Sequence, residues 1–251
     1  MTIIRPVFWT IPAISRVDVQ TLKAKVTQLD ERLQAITSKH QQVRLAHSLA
    51  VEDMVIMDRV VHTQSPISIF TLDTSLLNPE TYAFLERLAQ FYPDTPIEHC
   101  YADTQKVEDY VQQYGKTAFY ESVDLRKQCC HIRKVEPLNK ALAQADAWLT
   151  GQRQSQSVTR QALPFEEWDK QRNIAKFNPI FDWSEEEVWA YIQHHQLPFN
   201  QLYRQGYPSI GCEPCTRPVK QGENIRAGRW WWESQDSKEC GLHQTNLQAT
   251  A

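Results

Sequence analysis

The chain has 251 residues, of which 41% are hydrophobic and 23% are charged, and its formal net charge is -3. This is an ordinary composition for a soluble globular protein, and the length allows one large domain with a full core or one domain with an appendage. No apolar run approaches the roughly 20 residues that span a membrane, and the mild acidity is unlike that of a general nucleic-acid-binding protein. Six cysteines without a signal-peptide pattern predict a cytoplasmic protein whose cysteines are ligands, catalysts or core residues.

Apolar strands and amphipathic helices alternate along most of the sequence. After an irregular lead-in, apolar residues spaced by three and four predict a helix over 22–36. Strands are then predicted at 43–49, 67–73, 97–102 and 147–151, and helices at 50–62, from Pro79 onward, at 104–114, at 135–145 and at 184–195. In the last of these helices Ser184 and Glu187 match a capping box. The alternation predicts an α/β fold, a parallel twisted sheet with helices on both faces.

Polar residues follow three of the predicted strands. His47 and Ser48 end the first strand, 73–75 follow the second, and 151–160 follow the fourth. Because ligands of open parallel sheets bind beyond the carboxyl ends of the strands, these residues predict a nucleotide cleft. The sequence contains neither GxGxxG nor a Walker lysine loop, so the pattern indicates neither a dinucleotide fold nor a P-loop NTPase.

Four cysteines form two pairs that are far apart in the chain. Cys129 and Cys130 are adjacent, whereas Cys212 and Cys215 flank a turn that contains Pro214. Adjacent cysteines strain a disulfide and fit a single zinc ion poorly. A cubane cluster offers four separated iron atoms, which four thiolates usually bind. The pattern favours a [4Fe–4S] cluster, with a zinc knuckle and a redox disulfide as alternatives.

Basic residues are concentrated near both cysteine pairs although the whole chain is slightly acidic. Seven lysines and arginines stand against two acids between Arg126 and Arg160, and four against one between 216 and 229. An anionic cluster could be balanced by part of this charge. The surplus predicts an anionic substrate such as a phosphate or sulfate ester, which arginine binds in a forked geometry. A solvated basic surface is the alternative.

Several stretches together resemble the assimilatory sulfonucleotide reductases, in particular the cluster-bearing adenylyl-sulfate (APS) reductases. The resemblance covers most of 40–243, and the combination of CC, CxxC and ECGLH is highly specific for the family. The stretches include SLAVEDMVI (48–56), LDTSLLNPETY (72–82), CCHIRKVEPL (129–138), LTGQRQSQSVTR (149–160), GENIRAGRWWWE (222–233) and KECGLH (238–243). The resemblance implies an adenine-nucleotide alpha-hydrolase-like fold with a modified pyrophosphate loop around 48–53. It also implies two parts, a sulfonucleotide-binding domain with an iron–sulfur site over 1–215 and a catalytic tail over 216–251 that covers the active site.

The same resemblance implies a reaction in assimilatory sulfate reduction and cysteine biosynthesis. Cys240 would attack the sulfur of adenosine 5'-phosphosulfate, release AMP and become an S-sulfocysteine, from which thioredoxin or glutaredoxin releases sulfite. Lys134 would lie between the cluster and the substrate. The residues implied in substrate binding are Ser48, Thr74, Lys134, Arg153, Arg160, Arg226, Arg229 and His243.

Two residues depart from the family pattern. Ala50 and Ser75 stand where glycines are common, and a side chain at either position is expected to narrow the approach of the backbone to a ligand.

PAPS reduction, or use of both APS and PAPS, is the alternative within the family. A zinc-stabilised pyrophosphate-loop nucleotide-binding or tRNA-thiolating protein and a non-catalytic iron–sulfur regulator are the alternatives outside it. The regulator would not need Cys240. We also expect a homo-oligomer.

Overall fold

A six-stranded sheet forms the centre of the computed structural model, which describes residues 6–14, 17–156, 160 and 162–234. The strands are β1 (Val43–Ala46), β2 (Ile67–Asp73), β3 (Ile97–Tyr101), β4 (Ala147–Leu149), β5 (Glu166–Asp169) and β6 (Ile174–Phe177). Their order across the sheet is β3-β2-β1-β4-β6-β5. All neighbouring pairs are parallel except β5 and β6, which are antiparallel. The predicted α/β sheet is confirmed, with one antiparallel edge strand that the sequence analysis did not predict.

Helices cover both faces of this sheet, as predicted. They are α1 (Val19–Lys39), α2 (Val51–His62), α3 (Pro79–Phe91), α4 (Thr104–Tyr114), α5 (Val123–Cys130), α6 (Glu136–Ala141) and α7 (Glu185–His194). Alternate strand residues point to opposite faces. Leu45 and Ile69 therefore join the main core with α1, α2, α3 and α7. Phe70 and Trp148 join a smaller core with α6.

The observed bounds agree with the sequence at most elements and differ at a few. Strand β2 has the predicted bounds, whereas the strands predicted at 43–49 and 147–151 end three and two residues earlier, at Ala46 and Leu149. The helix predicted at 135–145 ends at Ala141. Cys100, which lies in β3 outside the two cysteine pairs, is only partly buried and packs against the smaller core.

Local sequence explains where α7 begins. Ser184 Oγ accepts a hydrogen bond from the Glu187 amide at 3.1 Å, and the Glu187 carboxylate accepts one from the Ser184 amide at 2.7 Å. This is the predicted capping box, and it satisfies two amides that would otherwise lack partners. The helix then directs Val188 and Trp189 towards the ends of the strands.

A third group of buried residues lies apart from the two cores on the sheet. It contains all four paired cysteines together with Tyr110, Phe119 and Trp230. Helix α5 continues directly into a wider π-helical turn, His131–Val135, and then into α6. Within the described residues, no helix is long and apolar enough to cross a membrane.

Candidate active site

A cavity of about 250 Å³ opens where β1, β2 and β4 end, at the edge of the sheet where the sequence predicted a cleft. The predicted site residues that line it are Ser48, Thr74, Lys134, Arg153, Arg160, Arg226 and Arg229, and Cys212 lines it as well. The structure thus brings together residues from five segments of the chain. Cys240 and His243 lie outside the described residues.

The loop between β1 and α2 forms one wall of the cavity. The amide and the hydroxyl of Ser48 donate hydrogen bonds to Asp53 Oδ2 at 2.7 and 2.5 Å, so Asp53 closes the loop on itself. Burial raises the pKa of Asp53 to about 7, although the bonds from Ser48 oppose this shift. A Cβ on Gly151 would lie 2.4 Å from Asp53 Oδ1, so glycine is required where β4 passes this loop.

The two departures from the family pattern have different consequences for the backbone. Ala50 has φ -84° and ψ 160°, an extended conformation that any residue adopts, so it introduces no backbone strain. Ser75 has φ 57°, in the left-handed region that favours glycine. A side chain therefore costs backbone strain at Ser75 and not at Ala50, whereas the expected narrowing of the approach to a ligand stays a prediction at both positions.

Arg153 makes a buried network behind this loop. Its guanidinium donates to Glu52 Oε1 at 2.7 and 3.2 Å, and to the Trp183 carbonyl at 3.3 Å. Gln156 Nε2 donates to the same Glu52 oxygen at 3.0 Å, and Arg160 donates to the Gln156 side chain. The network links the start of α2 to the loop after β4. The sequence analysis did not identify Glu52 as the partner of Arg153.

Arg229 reaches the cavity through a space that only a glycine leaves open. A Cβ on Gly211 would lie 2.4 Å from Arg229 Nη2 and 2.6 Å from its Cζ. Arg229 Nη1 donates to the Ile210 carbonyl at 3.0 Å, and the guanidinium lies 4.9 Å from the ring centroid of Trp230. Its Nε is buried without a hydrogen-bond partner in the described part of the chain. The backbones of Thr216 and Arg229 pair in an isolated antiparallel β-bridge, which fixes the backbone at Arg229.

The four cysteines come together beside the cavity. Cys129 and Cys130 end α5, and Cys212 and Cys215 flank the short 3-10 turn Glu213–Cys215. All four are buried. The arrangement brings two remote pairs into one group, as the sequence predicted. Among the described residues no three or more His, Cys, Asp and Glu side chains are placed to hold a single metal ion.

The thiols of this group differ in acidity because their surroundings differ. Burial raises the pKa of Cys215 to about 12 and also raises the pKa of Cys129. Burial acts in the same direction on Cys212, but the charge of Lys134 and the contact with Thr74 outweigh it, so the pKa of Cys212 is lowered. Thr74 Oγ1 lies 3.2 Å from Cys212 Sγ. Thr74 and Lys134 therefore link the cysteines to the cavity.

The π-helical turn after Cys130 explains how Lys134 reaches this position. Arg133 donates from Nη1 to the Thr74 carbonyl at 2.7 Å, which fixes the turn against the end of β2. Lys134 lines the cavity from the same turn. The helix predicted from the sequence begins at 135 and therefore leaves Arg133 and Lys134 outside it. Helix α5 and the π-helical turn were not predicted.

The chain is similar to known proteins over most of its length. Residues 42–218 match the model of the phosphoadenosine phosphosulfate reductase domain. A protein named adenosine 5'-phosphosulfate reductase from Neisseria meningitidis serogroup B is 54% identical over 243 residues, 97% of this chain and 99% of the relative. One of the same name from Allochromatium vinosum is 47% identical over 233 residues, 93% of this chain and 90% of the relative.

Solved structures show the same fold. A phosphoadenylyl-sulfate (PAPS) reductase from Candida auris, crystallised as a phosphate complex, superposes with a TM-score of 0.64 at 25% identity, covering 83% of this chain and 100% of that one. An FMN adenylyltransferase from Candida glabrata reaches 0.55 at 12% identity, over 95% of this chain and 81% of that one, which supports the adenine-nucleotide alpha-hydrolase-like fold alone. With most of its length matched by the domain model and by relatives of this identity, the chain belongs to the phosphoadenosine phosphosulfate reductase family, on the branch of the adenosine 5'-phosphosulfate reductases.

Proposed function

We propose that the chain reduces adenosine 5'-phosphosulfate to sulfite and AMP in assimilatory sulfate reduction. The observation that carries this proposal is the position of Lys134, which lines the cavity from the π-helical turn that directly follows Cys130. The cavity is also lined by Arg153, Arg160, Arg226 and Arg229, and such a concentration of positive charge suits a substrate with two anionic groups. The curated relatives named above share this activity in their names.

The substrate is held by the residues that line the cavity. Ser48 and Thr74 lie at the ends of β1 and β2, where the phosphate of a nucleotide meets the loop before α2. Arg160, Arg226 and Arg229 bind the phosphate and the sulfate, and each charge-assisted contact contributes about 1.5–3 kcal/mol. Arg153 lies behind the loop, where it acts on the substrate through Glu52 and Gln156.

A [4Fe–4S] cluster bound by Cys129, Cys130, Cys212 and Cys215 fits the residues of the third buried group. The donor set is four buried thiols, the usual ligands of such a cluster. The indole N–H groups of Trp230 and Trp232 lie in the same group and have no partner within the described residues, so they are available as donors to sulfide. When bound, the cluster supplies an anionic charge beside the substrate.

Cys240 is the nucleophile of the proposed reaction. Its thiolate attacks the sulfur of the substrate, the bond from sulfur to the phosphate oxygen breaks, and AMP leaves with that oxygen. A dithiol reductant, thioredoxin or glutaredoxin, then attacks the Cys240 sulfur. Sulfite leaves with the bonding electron pair, and the resulting mixed disulfide is resolved by the second thiol of the reductant. His243 lies three residues after Cys240, close enough in sequence to favour its thiolate.

The tail 216–251 delivers Cys240 to a domain formed by 1–215. The described part of this tail is attached to the body, because the Val219 amide donates to the Gly206 carbonyl at 2.8 Å and the Trp9 amide donates to the Val219 carbonyl at 2.8 Å. The same proposal places the protein in the cytoplasm as a homo-oligomer, where a thioredoxin-type reductant is available.

Two measurements test the proposed function. Wild-type protein mixed with the substrate and no reductant should gain one sulfonate group on Cys240, detected by intact-mass and peptide mass spectrometry. Cys240→Ser should bind the substrate and produce no sulfite. An adduct on another cysteine, or sulfite production by Cys240→Ser with thioredoxin, would show that the proposed mechanism is wrong.

Metal content tests the cluster separately from the reaction. Anaerobically purified protein should contain iron and acid-labile sulfide, and changing any one of the four cysteines to Ser should lower both. Stoichiometric zinc without sulfide would instead support the zinc-stabilised alternative, in which the quartet has a structural role only.

PAPS reduction, alone or together with APS reduction, is the second candidate. The Candida auris structure, whose fold this chain shares, is a PAPS reductase. The four-cysteine group and the names of the curated relatives favour APS. Comparing kcat/KM for the two substrates decides the question, since we expect APS to be used much faster and similar values would indicate dual use.

A further inference from the structure

A buried ion pair joins the helix that carries Cys129 and Cys130 to the end of the described chain. Arg126 lies in α5, one turn before the two cysteines. It donates from Nε to Glu233 Oε1 at 2.9 Å and from Nη2 to Glu233 Oε2 at 2.7 Å. The two side chains are 0% and 3% exposed. Two parallel bonds of this kind fix orientation as well as distance.

The same arginine also holds the turn that leads to Glu233. Its guanidinium lies 4.6 Å from the ring centroid of Trp230. Trp230 has φ 41°, in the left-handed region, and its carbonyl accepts a hydrogen bond from the Glu233 amide at 2.9 Å. Because a bulky residue is strained in this conformation, the contacts around the turn must maintain it. Arg126, Trp230 and Glu233 thus hold residues 230–233 in one shape.

Stability alone is a weak reason for such a pair. Desolvating two charges costs several kcal/mol, and packed apolar residues often stabilise a fold as well as a buried ion pair does. What the pair provides is a defined position, since a bidentate contact is lost after a shift of about 1 Å. The position it defines is the point where the chain leaves the cysteine group, seven residues before Cys240.

We propose that Glu233 is a positioning residue whose bidentate contact with Arg126 anchors the base of the catalytic tail. This inference rests on the proposed function, because it concerns how Cys240 is presented to the substrate. Without the anchor, the next backbone contact with the body before Cys240 is the hydrogen bond from the Trp230 amide to the Cys215 carbonyl at 3.1 Å, three residues earlier. If losing the anchor only lengthened the free segment before Cys240, the local concentration of the Cys240 thiol at the substrate would fall only about twofold. A larger loss of rate would therefore report the loss of a defined direction.

The central variant is Glu233→Gln, which keeps the shape of the side chain and removes its charge. We expect the rate at which Cys240 is sulfonated at saturating APS, followed by rapid quenching and intact-mass spectrometry, to fall at least tenfold. The dissociation constant of AMP should change less than twofold and the iron content should stay the same, because Glu233 does not line the cavity and Arg126 keeps its own hydrogen bond to Cys130. This combination is one that general destabilisation does not produce.

Asp169→Asn is the matched control. Asp169 pairs with Arg172 at 2.7 Å, and both side chains are nearly buried, but the pair lies at β5 and β6, outside the cavity lining. We expect this variant to sulfonate Cys240 at the wild-type rate. Glu233→Asp keeps the charge but shortens the side chain, so it should be at least threefold slower than wild type, and it serves as the test if Glu233→Gln does not fold.

Three outcomes would overturn the inference. The first is a wild-type sulfonation rate in the variants at Glu233. The second is a parallel loss of iron, which would place the effect in the cysteine group. The third is a parallel loss of AMP affinity, which would place it in the cavity.

Failure of the proposed function would look different from failure of the inference. A wild type that forms no adduct on Cys240 refutes the former. In that case the anchoring is tested by the rate at which iodoacetamide alkylates Cys240, and peptide mapping identifies the alkylated cysteine. That rate should change at least threefold in Glu233→Gln, and an unchanged rate overturns the inference.

Discussion

At the scale of single residues, the space beside Gly211 determines where Arg229 can lie. A Cβ at this position would meet the guanidinium at 2.4–3.0 Å, whereas the backbone there is not in the left-handed region. Gly211→Ala should therefore fold normally but displace Arg229 from the cavity. We expect the binding of APS, measured by calorimetry in a Cys240→Ser background, to weaken by about 1.5–3 kcal/mol, the contribution of one charge-assisted contact.

Gly115→Ala provides the opposite pattern as a control. Gly115 ends α4 with φ 96°, and no atom lies within 4 Å of a Cβ added there. This variant should lose roughly 1–3 kcal/mol of stability from backbone strain and bind APS normally. Normal APS binding by Gly211→Ala would mean that Arg229 does not contact the substrate from its present position.

His47 makes stability depend on pH in a defined direction. It is almost fully buried at the end of β1, its Nδ1 accepts a hydrogen bond from the Leu49 amide at 3.1 Å, and burial lowers its pKa from 6.5 to about 3. Between these two values the unfolded chain binds a proton that the folded chain does not. The contribution of His47 is therefore fully present above pH 6.5 and falls by about 1.4 kcal/mol per pH unit below it.

A substitution isolates this contribution. His47→Asn keeps an acceptor for the Leu49 amide and removes the titration. Between pH 7 and pH 5, urea unfolding should show wild type losing about 2 kcal/mol more stability than this variant. His99→Asn, at an exposed position, should lose as much as wild type does. Equal losses for wild type and His47→Asn would show that His47 is not held neutral in the folded protein.

Sequence patterns predicted several residues that line the cavity but not how they are connected. Ser48, Thr74 and the basic residues were found because polar residues that end parallel strands converge, and because a family resemblance named them. The buried contacts of Arg153 with Glu52 and of Arg126 with Glu233 were not found. Both contacts join segments about a hundred positions apart (101 and 107 residues), so no local sequence pattern indicates them.

At the scale of elements, sequence periodicity succeeded where a strand or helix is long and half buried. Periodicity predicted the bounds of β2 correctly, because a run of seven mostly apolar residues is typical of a buried strand. It missed β5, whose residues EEWD alternate between exposed and partly buried at the edge of the sheet. It missed β6 because Lys176 interrupts a four-residue strand. The structure buries this lysine against Gln152 at 3.0 Å and Glu167 at 2.8 Å.

The capping box of α7 gives a prediction at this scale. Ser184→Ala removes the side chain that accepts from the Glu187 amide, so we expect a loss of about 1 kcal/mol in the free energy of unfolding. Ser38→Ala in α1 is the matched control, because Ser38 bonds only to the Ala35 carbonyl on an exposed surface. Its effect should stay within about 0.5 kcal/mol. Equal effects in denaturant titrations of the two variants would contradict a special role for the cap.

At the scale of the whole molecule, the fold separates a stable sheet from a cysteine-bearing unit. The main core is formed by four of the strands, β1, β2, β4 and β6, and by α1, α2, α3 and α7, and it contains none of the four paired cysteines. The cysteine group has its own buried residues, contributed by α4, the turn at 118–120, α5 and the segment from 212 to 232. The substrate cavity lies where the two meet, so changes in the cysteine unit can reach the substrate without disturbing the sheet.

Removing the proposed cluster should therefore loosen one part of the molecule and leave the other intact. Four thiolates bound to one cluster connect the end of α5 with the turn at 213–215. Closing a loop of about this length stabilises the enclosed structure by on the order of 4 kcal/mol. After removal by oxidation and chelation, we expect faster amide hydrogen exchange in peptides covering 123–135 and 212–232. Exchange in β1 and β2 should not change, because their core is complete without the cysteines. A uniform increase over the whole chain, or no change around the cysteines, would contradict this division of the fold.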